Sequence, residues 1–342
     1  MLFERSDDTA ADWNELATKS AQASLIQCAE YGEAKAAGSA WAVERGRIVE
    51  QGATLAMAQV LVRKMPLGLP GGVAWINRAP IFVATERPDD AVQAAAINAI
   101  VHHYAEKRGL YLRLAAPIPK DEFNTVLTSP GLAGGQTFKS TQTTGWASAR
   151  LDLTRPEDEL YKNLRGNWRS SLRKAEKLPI EIEIGSDETC FGRFIDQHRA
   201  FLAERNYTTS VTPDFLQQLQ RLLPPDRKLI ALTAKDGAEI LGSVLIAGYG
   251  GTCEYLAGNA SSRRQGVGVG QLLLWRAIID MKRRGFAIFD VGGMDSERTP
   301  KGIFEFKAGV NPIPYRLANE IEAGDRSLIG KATKFLVARA QA

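Results

Sequence analysis

Two stretches of this 342-residue chain carry residue types at spacings that chemistry could use. The first is Arg263-Arg264-Gln265-Gly266-Val267-Gly268-Val269-Gly270, alternating glycines followed by an apolar run. Glycine lets a backbone approach a ligand closely, amides at a helix N-terminus hold phosphate oxygens, and Arg263 or Arg264 adds charge. Two registers fit, Arg263 with Gly266 and Gly268, or Gln265 with Gly268 and Gly270. An ordinary loop between a strand and a helix would read the same way. The second stretch, 161–177, carries Lys162, Arg165, Arg169, Arg173, Lys174 and Lys177 against Glu176 alone. Arg165, Arg169, Arg173 and Lys177 recur every four residues, which predicts one basic helix face; Leu160, Leu164, Trp168 and Leu172 predict the face that docks it. Such a face is either solvated or a site for a polyanion, a diphosphate ligand or an RNA backbone. The formal net charge of +4 does not argue for nucleic acid by itself. Cys28, Cys190 and Cys253 lie far apart and the histidines include one adjacent pair, His102-His103, so neither structural zinc nor a disulfide framework is expected.

The elements that must position these residues follow a pattern that occurs twice. Length predicts about two domains, and 44% apolar with 24% charged residues is an ordinary globular composition. In the second half, 229–234 and 240–249 read as strands about a turn at 235–238. A strand at 252–257, the glycine-rich stretch, a helix at 271–284 and a strand at 286–291 follow. The first half reads as a hairpin around Arg45-Gly46, strands at 54–62 and 73–76, a helix at 89–108 containing the two histidines, and a strand at 110–114. Lys107-Arg108-Gly109 and Arg283-Arg284-Gly285 mark matching helix ends, so the halves read as a duplication. Residues 327–340 read as a short helix packed on the first domain, with peripheral membrane contact as the alternative. The N-terminus lacks a signal-peptide pattern and no run approaches 18 apolar residues, so the expectation is a soluble, cytoplasmic protein.

Several strings, in order from about residue 24 to 322, resemble the Fem family (FemA, FemB, FemX) of peptidoglycan-bridge aminoacyltransferases, within the GNAT-like acyltransferase superfamily. Gln27, Tyr31 and Lys35 are similar to its Q-x-x-x-W-x-x-x-K start, and Trp75-Ile76-Asn77-Arg78-Ala79-Pro80 to its Y-I-x-R-G-P segment. Residues 163–177 resemble its basic helix; Glu254-Tyr255-Leu256-Ala257-Gly258, Phe289-Asp290-Val291-Gly292-Gly293 and Phe304-Glu305-Phe306-Lys307-Ala308-Gly309 complete the set. The resemblance implies an α+β (α/β) fold of two tandem GNAT-like domains, 1–150 and 151–317, with 318–342 completing the first and substrate bound in a cleft between them. No long heptad run is present, so the compact form without a coiled-coil insertion is expected.

The activity implied is transfer of an amino acid from aminoacyl-tRNA to an amine of a UDP- or lipid-linked peptidoglycan precursor, the donor being a co-substrate and no cofactor or metal being required. Aminolysis of an ester or thioester needs a neutral amine, a path for its proton, and positive or hydrogen-bonding groups for the developing oxyanion. Lys307, in the Phe306-Lys307 pair, matches the family's catalytic lysine and is the first choice for oxyanion stabilisation. Tyr255 could donate to the reacting carbonyl. Glu254 would become a general base if the donor were a thioester and its strand were bulged, and Asp290 reads as a turn or cap. Lys35 and Arg205 match positions that hold the precursor's diphosphate, and Arg165, Arg169, Arg173 and Lys177 would contact tRNA. Two features depart from the pattern. Ala115-Ala116-Pro117 lacks the acidic residue that members often carry before the proline, which puts the usual acceptor in doubt. The 263–270 loop fits an acyl-CoA pyrophosphate site better than the degenerate loop of cross-bridge enzymes, so an acyl-CoA-dependent N-acyltransferase is the alternative. A binding protein without catalysis is the third reading.

Overall fold

Residues 55–62 are apolar except for Gln59 and lie in a twelve-residue strand, 53–64, that is buried on both faces through its centre. The computed structural model describes residues 1–66, 69–85, 88–129, 138–205, 209, 211–260, 266–324, 331 and 334. The chain divides into two units, Met1–Trp146 with Arg316–Ala342, and Ala147–Tyr315. The strands are β1 (Leu2–Arg5), β2 (Ala42–Glu50), β3 (Ala53–Lys64), β4 (Gly72–Asn77), β5 (Ile81–Phe82), β6 (Tyr111–Ala115) and β7 (Phe138–Ser140), followed by β8 (Ala147–Asp152), β9 (Glu181–Gly185), β10 (Ile230–Asp236), β11 (Glu239–Tyr249), β12 (Thr252–Ala260), β13 (Ile288–Asp290), β14 (Ile313–Arg316) and β15 (Ile321–Ala323). Helices α1 (Ala10–Ala17), α2 (Ala29–Ala36), α3 (Asp90–Val101) and α4 (Phe123–Leu127) belong to the first unit. Helices α5 (Glu157–Asn163), α6 (Gly166–Glu176), α7 (Glu188–Arg205), α8 (Pro213–Leu222), α9 (Val269–Arg283) and α10 (Lys301–Ala308) belong to the second.

The two sheets repeat one succession. Their orders are β1-β2-β3-β4-β6-β15-β7, with β5 beside β3, and β9-β10-β11-β12-β13-β8-β14. Three antiparallel pairings lead in each to one parallel pair, β4–β6 or β12–β13. A parallel pair needs a crossover, and α3 and α9 supply it. An antiparallel neighbour follows, β15 beside β6 and β8 beside β13. Gly109 and Gly285, the glycines of the matching Lys/Arg-Gly strings, close the two crossover segments with φ of 65° and 89°, conformations in which a Cβ is unfavourable. Each unit buries its own core: Ile97, Ile100 and Tyr104 pack with Val60, Ile76 and Leu112 in the first, and Leu273, Ile278, Trp168 and Leu172 with Leu232, Ile246 and Phe289 in the second.

Two expectations are corrected. The chain does not turn at Arg45-Gly46: β2 runs through them, and the turn falls at Gln51-Gly52, both with positive φ. Gly46 is a mid-strand residue because a Cβ there would lie 2.2 Å from the Phe3 ring of β1. Nor does one basic helix span 161–177. Leu164 and Arg165 take extended backbone and separate α5 from α6, where the Arg165 amide donates to the Gly309 carbonyl at 2.9 Å. Leu160, Leu164, Trp168 and Leu172 are all buried as a docking face, but the basic row of four is broken. The helix expected at 89–108 forms as α3 continued by a π-helical segment, His102–Lys107. The helix expected at 327–340 lies outside the described residues except for Lys331 and Lys334. Among the described residues no helix is long and apolar enough to cross a membrane.

Candidate active site

The second unit brings several of the singled-out residues together where β12 and β13 part. These strands pair only through Thr252–Glu254, facing Ile288–Asp290. Beyond that point β12 is bulged: Leu245 and Ile246 of β11 face Ala257 and Tyr255, leaving Leu256 as the extra residue. A bulge re-aims side chains. Here the Tyr255 hydroxyl comes to lie over Gly258, where a Cβ would be only 1.9 Å away. Burial pushes the Tyr255 phenol well above its usual pKa, so it remains a neutral hydrogen-bond donor.

Lys307 enters from α10. It is only 8% exposed, its Nζ donates to the Gly293 carbonyl at 2.9 Å, and it lies 5.3 Å from the centre of the Tyr255 ring. Burial lowers its pKa to about 8, although the Glu254 and Asp290 carboxylates pull the other way. At neutral pH the group is therefore mostly an ammonium. One of its three N–H donors is committed to Gly293, in an environment where charge acts strongly.

Asp290 sets the loop that receives this ammonium. It is 4% exposed; Oδ1 accepts from the Gly292 amide at 2.9 Å and lies 2.5 Å from the Ser148 hydroxyl, and Oδ2 accepts from Tyr315 at 2.6 Å. Arg150 approaches Oδ2 at 3.5 Å and lies over the Tyr315 ring. Gly292 has φ of 71°, and a Cβ there would lie 2.4 Å from the Tyr255 carbonyl oxygen. The turn assigned to Asp290 thus fixes the carbonyl that holds Lys307. Ser148 and Tyr315 were not singled out from the sequence; they lie 142 and 25 residues from Asp290, and no local motif announces them.

Phe306 packs rather than faces the ammonium. Its ring is tilted against Trp168, its carbonyl accepts from Trp168 Nε1 at 3.0 Å, and its ring edge would lie 3.3 Å from a Cβ on Gly270. Gly268 is the left-handed cap of α9, with φ of 89°, and a Cβ on it would collide with the Ser171 carbonyl oxygen at 2.2 Å. The missing side chain of Gly268 is thus accounted for by α6, while Gly270 sits close against the Phe306 ring. Gly266, also with positive φ, has open space where its Cβ would be. Arg263 and Gln265 lie outside the described residues.

The remaining expected residues sit elsewhere. Lys35, on α2 in the first unit, is half-buried with its Nζ 5.7 Å from the Tyr31 ring centre, and burial lowers its pKa. Arg205 is exposed at the end of α7, over the Phe201 ring. In the basic segment Arg169 donates to the Lys162 carbonyl and Arg173 to the Tyr161 hydroxyl, while Arg165 and Lys177 are exposed beside the ends of α6. Among the described residues no cluster of histidine, cysteine, aspartate or glutamate could hold a metal ion.

Residues 162–308 match the family of the acetyltransferase (GNAT) domain. No curated protein matches the chain. Of solved structures, FemX is similar with a TM-score of 0.79 at 15% identity, over 98% of this chain and 99% of that one. The C-terminal domain of a putative lysylphosphatidylglycerol synthetase from Agrobacterium fabrum gives 0.55 at 14% identity, over 96% of each chain. A tandem GNAT protein from the clavulanic acid biosynthesis pathway gives 0.50 at 15% identity, over 94% of this chain and 97% of that one. Residues 162–308 thus match an acetyltransferase (GNAT) domain, and the chain as a whole has a fold similar to that of FemX.

Proposed function

We propose that the chain transfers an aminoacyl group from aminoacyl-tRNA to an amine of a peptidoglycan or other cell-envelope precursor, forming an amide in the cytoplasm, where charged tRNA resides. The observation that carries this reading is the Lys307 ammonium, buried between the Gly293 carbonyl and the Tyr255 ring. In aminolysis of the ester, the acceptor nitrogen attacks the carbonyl carbon and the carbonyl oxygen becomes an oxyanion. Collapse breaks the bond to the ribose oxygen, which leaves with a proton while the new amide nitrogen loses one. Lys307 and the neutral Tyr255 hydroxyl supply the positive charge and the hydrogen bond that this oxyanion needs. An aminoacyl rather than an acetyl group is supported by the likeness to FemX, much nearer than that to the tandem GNAT protein, and by the lysyl group in the name of the second neighbour. The exposed Arg165, Arg173 and Lys177 would meet the tRNA backbone, and Lys35 and Arg205 the diphosphate of the precursor.

A second reading, an acyl-CoA-dependent N-acyltransferase, is favoured by the open space at Gly266 beside the first turn of α9 and by the bulge next to Glu254. Calorimetry separates the two: acetyl-CoA titrated into the purified protein, beside a mixture of charged tRNAs. Retention of aminoacyl-tRNA without CoA binding is the expected result. Saturable CoA binding without tRNA binding would replace the first reading by the second.

A further inference from the structure

Arg78 of the first unit carries a charge with no counter-charge. Only 8% of the residue is exposed, yet its guanidinium makes no hydrogen bond or ion pair among the described residues. The other arginines buried in this unit are treated differently: Arg113 is paired with Glu320 through Nε at 2.8 Å, and the half-buried Arg108 grips Glu44 at 2.5 and 2.9 Å. A desolvated cation without a partner is costly, and one that persists is waiting for an anion or has been left exposed to water at its tip. The fork is not sealed, since none of its nitrogens is among the fully buried partnerless atoms, unlike Trp75 Nε1 nearby on β4.

The surroundings hold this fork in place. Arg78 follows β4 with φ of 61°, a left-handed conformation that a long side chain seldom adopts, and its amide donates to the Ala115 carbonyl at the end of β6 at 2.8 Å. Ala116, the next residue, brings no carboxylate. The guanidinium lies 5.3 Å from the centre of the Trp146 ring, which is 42% exposed. Trp146 is itself fixed: its carbonyl accepts from the Leu317 amide at 2.8 Å, and Gly145 packs so tightly that a Cβ would lie 2.1 Å from the Leu317 carbonyl oxygen. A pre-oriented planar fork backed by an aromatic face is suited to two-pronged recognition of a carboxylate or a phosphate.

We propose that Arg78 and Trp146 form an oxyanion subsite of the first unit, in which the guanidinium fork takes a carboxylate or phosphate group of a bound ligand. This inference does not rest on the acyl-transfer reading, and its test needs no activity. The intact protein is titrated with acetate and succinate in one arm, and with inorganic phosphate and UDP in the other. The readout is the Arg78 side-chain Nε–H resonance, assigned by its loss in Arg78→Gln. One arm is expected to move this resonance saturably and to raise the melting temperature of the wild type but not of Arg78→Gln; which arm does so names the anion. Arg78→Lys, which keeps the charge but not the fork, should bind several-fold more weakly than the wild type. Without ligand, Arg78→Gln should melt at the wild-type temperature or above it, because no internal pair is broken. A resonance that follows no probe, or an Arg78→Gln protein that unfolds or melts far lower, would overturn the proposal.

Discussion

Replacing Lys307 by methionine should make the protein more stable while removing its activity. The side chain stays unbranched and is one heavy atom shorter, and the charge is gone. In the folded protein the ammonium pKa is lowered to about 8 from an ordinary 10.5. Below pH 8 both folded and unfolded chains carry the proton, and the folded one bears the whole cost of the buried charge, on the order of 3 kcal/mol. Between the two values the folded state releases its proton first, so wild-type stability rises with pH through that window, and above 10.5 the cost is gone. Methionine never incurs it, but leaves the Gly293 carbonyl without its donor, a loss of about 1 kcal/mol. Lys307→Met should therefore be roughly 2 kcal/mol more stable than wild type at pH 7 and close to parity at pH 10. Urea unfolding of both proteins at the two pH values measures this difference, other titrating groups cancelling between them. A variant less stable than wild type at pH 7, or a difference that does not shrink as pH rises, would refute the picture of a buried, unneutralised ammonium.

Other outcomes follow from the same geometry. If Lys307 acts as the ammonium, kcat/KM should fall as pH rises through about 8, and any activity left in Lys307→Arg should lack that falling limb; a pH–rate profile decides. Gly258→Ala should push the Tyr255 hydroxyl aside, lowering transfer on the order of a hundredfold with a stability loss of about 1–3 kcal/mol, readable from kinetics and melting together. Gly268→Ala combines a left-handed backbone with a collision against Ser171, and should lose at least about 2 kcal/mol whatever the donor. If donor binding were lost instead with stability intact, that glycine would have a ligand role.

The fold was largely legible because its signals are local and repeated. Hydrophobic runs and turn residues located β10, β11 and β12, α3 and α9, and the two Lys/Arg-Gly strings marked corresponding ends of the crossovers. Legibility failed where a distant partner decides the local conformation. Gly46 looks like a turn residue until Phe3 of β1 is seen lying across it, and the four-residue step of arginines looks like one helix until Gly309 takes the Arg165 amide. The same limit applies to the site. Lys307 and Tyr255 stand out in short strings, whereas Ser148 and Tyr315, which converge on Asp290 from other strands, have no sequence mark. Gly268 illustrates the converse: its spacing from Gly266 and Gly270 suggests a phosphate loop, yet its left-handed backbone and the Ser171 carbonyl beside it are enough to require glycine.

The central claim is that the buried Lys307 ammonium stabilises the oxyanion of acyl transfer. The most direct test is single-turnover transfer from radiolabelled aminoacyl-tRNA to a UDP-linked precursor peptide, by wild type and by Lys307→Ala shown to be folded by its melting curve. The account predicts that the folded variant retains donor binding and loses transfer by about two to three orders of magnitude. A folded Lys307→Ala protein that transfers at the wild-type rate would contradict it.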